Sequence, residues 1–153
     1  MAASLNQQFA WCELLLAQWG ADSLPWRQDA LVQSLSWHLH IAYCALLRDM
    51  AGAARLPLTV APTSVLALIE RIPDGRNCPA EWEELAQLES GDSWLSALRS
   101  QPATPAQVLD TGQAQNALIA SSQGAALDVN GCREALVALK RFTERWRELG
   151  QEY

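Results

Sequence analysis

Two histidines, four cysteines and a basic cluster near the C-terminus are the residues of this 153-residue chain whose types could do chemistry. His38 and His40 are two positions apart, and on a helix that spacing turns the rings about 200° from one another, so they cannot share one metal ion. His40 and Cys44 are four apart and could ligate together, but two further ligands would have to come from elsewhere, for example Cys12 or Cys132. That set is incomplete in the sequence. The expectation is therefore no metal, with His38 facing the core through one hydrogen bond and His40 at its boundary. Cys12, Cys44, Cys78 and Cys132 include no C-x-x-C pair and read as small buried hydrophobes in a reducing compartment.

Other chemistries find no purchase. A serine hydrolase needs a nucleophile elbow of the G-x-S-x-G kind, and a nucleotide cofactor needs a glycine-rich phosphate loop. Neither occurs, and the eight glycines stand singly at turns and helix ends. No enzyme activity and no cofactor are implied. Glu83 and Glu84, beside Glu81, read as a solvated face early in a helix, where negative charge complements the macrodipole.

Arg133, Lys140 and Arg147 are spaced by seven and nearly align on a helix, with Arg141 and Arg145 close by. Glu144 and Glu148 interleave with them, which favours an ion-paired, solvated face over a patch for an acidic partner or RNA. The formal charge of -6 argues the same way, because non-specific nucleic-acid affinity comes mainly from Lys and Arg displacing counterions. Nucleic acid is a disfavoured partner. The seven tryptophans need their own account. Trp19, Trp37 and Trp146 lie in or beside apolar stripes and are expected to fill the core. An exposed partner-binding surface would best suit Trp11, Trp26 and Trp82.

The elements that position these residues are helical. From Pro25 to Met50 one long helix is predicted, with Ser23 as N-cap, Pro25 in the first turn, and a length of ~39 Å. Ala30, Leu31, Leu35, His38, Ile41, Ala42, Ala45 and Leu46 form its core stripe, and Val32, Leu39, Tyr43 and Met50 a second stripe beside it. A helix apolar on two sides is covered on two sides, which makes it the centre of a bundle. Before it, Leu5, Phe9, Cys12, Leu16 and Trp19 define a first helix closed by Gly20. After it, short helices are expected from Thr63 or Ser64, from Pro79, and from Asp92 or Ser93. Residues 101–128 read as a long, partly irregular connection, and Cys132 to Leu149 as a final helix ended by Gly150. With no strand pattern and no repeat, the expectation is all-α: a single domain over 1–153, built as an up-and-down helical bundle with a long central helix.

The segment 30–48, with its run Ser36-Trp37-His38-Leu39-His40, resembles the corresponding helix of a small bacterial all-helical family of unknown function. Leu88-Glu89, Ser93-Trp94-Leu95, Leu118-Ile119-Ala120-Ser121 and Cys132-Arg133 resemble that family in order. The resemblance implies the helical fold and no activity. The same helix is also similar to HEPN bundles, whose ribonuclease members carry an Arg, four to six residues, then His. Here Arg27 lies eleven residues before His38, so the resemblance implies a non-catalytic bundle and carries over no nuclease residue.

Taken together, these features read as a cytoplasmic, non-enzymatic interaction or accessory protein that binds a protein partner, with Trp11, Trp26, Trp82, Arg133, Lys140 and Arg147 as the candidate partner surface. A homodimer through an apolar helix face suits the same composition. The alternative is a nucleic-acid-associated protein or regulator, which requires Arg133, Lys140, His38 and His40 in one open cleft. No secretory signal is seen, no run of membrane-spanning length is expected, and no membrane role follows.

Overall fold

A computed structural model describes residues 4–100 and 127–151. Those residues form six helices and no strand: α1 (Leu5–Ala21), α2 (Pro25–Ala53), α3 (Val65–Ile69), α4 (Ala80–Ser90), α5 (Trp94–Arg99) and α6 (Val129–Gln151). The connection expected over 101–128 falls almost wholly outside the described residues. The long helices α1, α2 and α6 pack together, α1 most extensively on α2, while α3, α4 and α5 pack in sequence and α5 seats on α2 and α6. The chain is an all-α helical bundle organised around α2.

The link between α1 and α2 is three residues, which makes the pair an antiparallel hairpin. Ser23 does not cap α2. The N-cap is Leu24, without a side-chain bond; the turn is held instead by Asp22, whose Oδ1 accepts from Leu24 N at 3.0 Å, and by Gln28 Nε2, which donates to Asp22 O at 2.8 Å. Pro25 occupies the first turn as its fixed φ allows. α6 runs antiparallel to α1: Arg133 stacks over Trp19, Lys140 pairs with Glu13, and Arg147 Nη1 donates to Asn6 Oδ1 at 3.0 Å. These basic residues tie α6 to α1 and, through Arg145 on Glu84 of α4, to the short helices. They do not pair with Glu144 and Glu148 as their spacing suggests.

The centre of the core lies at Leu35, Leu39, Ala42, Tyr43, Leu46, Leu47 and Met50 of α2, each 1% exposed or less, with Cys12 from α1 and Cys132, Ala135 and Leu139 from α6. The buried arc is rotated relative to the expected one. Ala30 is exposed and Ile41 only half-buried, whereas Leu39 and Tyr43 of the second stripe are fully covered. The cause is that α1, α5 and α6 all pack on α2, and the arc they leave open runs through Ala30.

α2 ends beyond Gly52 in a Schellman motif. Arg55 N donates to Gly52 O at 3.0 Å and Leu56 N to Ala51 O at 2.9 Å, with Arg55 at φ 55 and Leu56 buried beneath the turn. A left-handed arginine carries strain that glycine lacks. Arg55→Gly is expected to stabilise the fold by about 1 kcal/mol and raise the melting temperature by roughly 3 °C, measured by thermal denaturation.

Candidate interaction surface

The buried polar groups are the first place to look for chemistry, and they converge on Glu89 of α4. Its carboxylate, fully covered, accepts from Tyr43 Oη at 2.5 Å, Ser64 Oγ at 2.7 Å and Val65 N at 2.8 Å, and faces Arg99 Nη1 at 3.5 Å. Ser64 occupies the N-cap position of α3 but makes no cap bond of its own. The Glu89 carboxylate does the capping, satisfying the first N–H of α3 from a different helix. Burial, then the bond to Glu89, pushes the Tyr43 hydroxyl far above its ordinary range. With three hydrogen bonds and the Arg99 ion pair, the carboxylate joins α2, α3, α4 and α5.

The cysteines are inert. Burial pushes the Cys12 thiol up to about 12, with Cys132 and Glu13 adding to the effect. Burial also raises Cys44, Cys78 and Cys132. A thiol kept protonated is a poor nucleophile and a poor metal ligand. Among the described residues no group of three or more His, Cys, Asp or Glu side chains could hold a metal.

The two histidines diverge as their spacing requires. His38 turns to α1, where Nδ1 donates to Gln8 Oε1 at 2.9 Å and the ring sits between Trp11 and Trp37 at centroid distances of 5.4 and 5.3 Å. His40 turns toward Arg99, its Nδ1 buried without a hydrogen-bond partner among the described residues. Burial lowers both from 6.5, and Arg99 lowers His40 further. A depressed folded pKa means the unfolded chain takes up protons first as pH falls. Stability from these groups is therefore full above pH 6.5 and is lost as pH drops through the lowered folded values. Urea midpoints measured from pH 8 down to pH 5 should show this loss, and His40→Gln should make it shallower. His38, Arg133 and Lys140 each engage a different neighbour, Gln8, Trp19 and Glu13.

What the structure does gather is an uncharged aromatic face on the α1–α2 hairpin. On α2, Trp26, Ala30, Gln33 and Trp37 recur at spacings of four, three and four and are all exposed, so they form one stripe. Ile41 and Cys44, half-buried, continue it. No Asp, Glu, Lys or Arg occurs between Asp29 and Arg48. On α1 the exposed positions beside that stripe are Gln7, Ala10, Trp11, Leu14, Ala17, Gln18 and Ala21. The helix has a single charge, Glu13, which points to Lys140 of α6. Trp11 and Trp37 are bridged by His38, and Gln18 lines a depression of about 250 Å³ with Trp26, Ala30 and Ser34, where Asp22 and Arg27 bring the first charges at the end of the face. The two stripes therefore lie side by side. By contrast, α6 shows Arg133, Glu134, Arg141, Glu144, Arg145, Arg147 and Glu148 to solvent.

Trp26 is 65% exposed and Trp11 38%, so both indoles stand at the surface. Trp82 does not belong to it: at 2% exposure it is core, packed in a stripe with Leu85 and Glu89 at spacings of three and four. Trp37, expected in the core, is 38% exposed. The 82, 85, 89 spacing is the sequence signal that places Trp82 on the buried side of α4. Arg133, Lys140 and Arg147 lie along the α6–α1 seam, away from the Trp26–Trp37 stripe.

A family model described as a family of unknown function, DUF6586, matches residues 1–153. The chain belongs to the DUF6586 family. No curated protein and no solved structure matches it. Membership supplies no activity, so the functional reading rests on the surface described above. One expectation needs correction against α2: this 29-residue helix includes a window of mean hydropathy 1.2, long and apolar enough by composition to cross a membrane, with 44% of that window buried inside the bundle. A helix at the centre of a bundle meets the same measure.

Proposed function

We propose that this DUF6586 chain is a non-enzymatic accessory protein of the cytoplasm that works by binding a protein partner through the uncharged face of α1 and α2. The observation that supports this most is an exposed indole, Trp37, within the longest uncharged stretch of the chain, with the exposed indoles of Trp26 on the same helix and Trp11 on α1. Tryptophan is costly to leave in water and enriched at binding hot spots, and a contiguous apolar patch rimmed by polar groups marks an interaction site. The hydrogen-bonded, ion-paired Glu89 and the protonated thiols support the non-enzymatic part. A nucleic-acid role has less support, since His38, Arg133 and Lys140 have separate partners and the net charge is negative.

The test is affinity capture of the tagged chain from its native cells, beside Ala30→Glu and Trp37→Glu. Both variants should stay folded and lose at least tenfold of any stoichiometric bound protein, while Val137→Glu, on the exposed part of α6, should retain it. Equal recovery by all four chains would remove the proposed face, and stoichiometric RNA in place of protein would replace the reading with the nucleic-acid one.

A further inference from the structure

We infer that the α1–α2 face pairs with a second copy of this chain, joined about a twofold axis with the two α2 stripes antiparallel. The inference rests on reading that face as a protein-binding surface. Copies of a chain carrying -6 repel one another over most of their surface, and the repulsion is smallest where two stripes without charge meet. Each end of the stripe carries an exposed pair of opposite charges in reversed order, Arg27 and Asp29 at one and Arg48 and Asp49 at the other. An antiparallel pairing centred between them, near His38 and Leu39, brings Asp29 of each copy to the level of Arg48 of the other. A parallel pairing would set like charges side by side. Charge at the rim thus selects the antiparallel register.

Area points to the same occupant. With indoles of ~250 Å² each, the exposed fractions of Trp11, Trp26 and Trp37 leave roughly 350 Å² of aromatic surface uncovered. A stable interface takes about 800 Å² from each partner. Leu14, 56% exposed, and the exposed Ala10, Ala17, Ala30, Gln18 and Gln33 around the indoles bring the face into that range. In this register Trp37 of one copy lies at the level of His40 of the other, so the same stripe meets itself, as an isologous contact requires. A lipid surface is a poorer match, because a helix lying on a membrane typically rims its apolar side with Lys and Arg, and this stripe has none between Asp29 and Arg48.

Sedimentation equilibrium of the full chain from low to high micromolar concentration is the test, with far-UV circular dichroism confirming that each variant is folded. The expected result is a mass of twice the 16.8 kDa chain, a dissociation constant raised at least tenfold by Ala30→Glu and by Trp37→Glu, and no change in Val137→Glu. A wild-type chain that stays monomeric overturns the second copy as occupant. If that monomer still captures a different protein that both variants lose, the proposed function stands without the dimer; if it captures nothing, both readings fall. A dimer that survives both substitutions in folded protein overturns the location. Co-flotation with phosphatidylcholine–phosphatidylglycerol vesicles that is lost in Trp37→Glu assigns the face to lipid and overturns the inference.

Discussion

Glu89→Ala is expected to destabilise the bundle by about 3–5 kcal/mol, because it removes the acceptor of three donors at once and takes from the partly buried Arg99 its ion-pair partner. Tyr43 is fully buried and cannot turn its hydroxyl to water. Val65 N–H, at the first position of α3, has no other acceptor in the turn. Urea unfolding with two probes would measure the loss. Glu84→Ala is the matched control: its partner Arg145 is also a charged side chain, but both are about half exposed, and such pairs contribute about 1 kcal/mol or less. Equal losses in the two variants would mean that Glu89 does not join the four helices as described.

The second large effect separates two positions that periodicity alone cannot. Leu39→Asp should yield no folded protein, because Leu39 is 0% exposed and a carboxylate there would have no partner. Ile41→Asp should fold with a lowered melting temperature, since Ile41 is half-buried at the edge of the open stripe and its carboxylate can reach water. Circular dichroism and thermal melting decide between them. A folded Leu39→Asp, or an unfolded Ile41→Asp, would contradict the rotation of α2 found here.

That rotation shows where sequence reasoning stops. The existence and length of α2 were legible because its apolar residues follow the helical period for seven turns. Its orientation was not. Both sides of the helix are apolar, and only the positions of α1, α5 and α6 choose which arc is covered. The same ambiguity placed Trp37 inside. Caps built from local residues were readable: Ser93 makes a capping box with Ser96, and Pro79 precedes α4. The cap of α3 was not, because its acceptor, Glu89, lies 25 residues from Ser64 and 46 from Tyr43. No short-range pattern encodes such a contact. The histidine divergence needed only the helical angle, and it holds. The uncharged run from Ala30 to Leu47 was present in the sequence throughout, but it read as core until the structure exposed Ala30, Gln33 and Trp37.

The claim on which this account turns is that the open α1–α2 face is covered by protein in the cell. Site-specific photo-crosslinking reads it most directly, with a benzophenone side chain placed at position 37 or 30 and, as control, at position 137 of α6. The expected result is a discrete adduct from positions 37 and 30, at twice the chain mass if the partner is a second copy, and none from 137. Adducts that are absent at 37 and 30, or equally strong at 137, would contradict it.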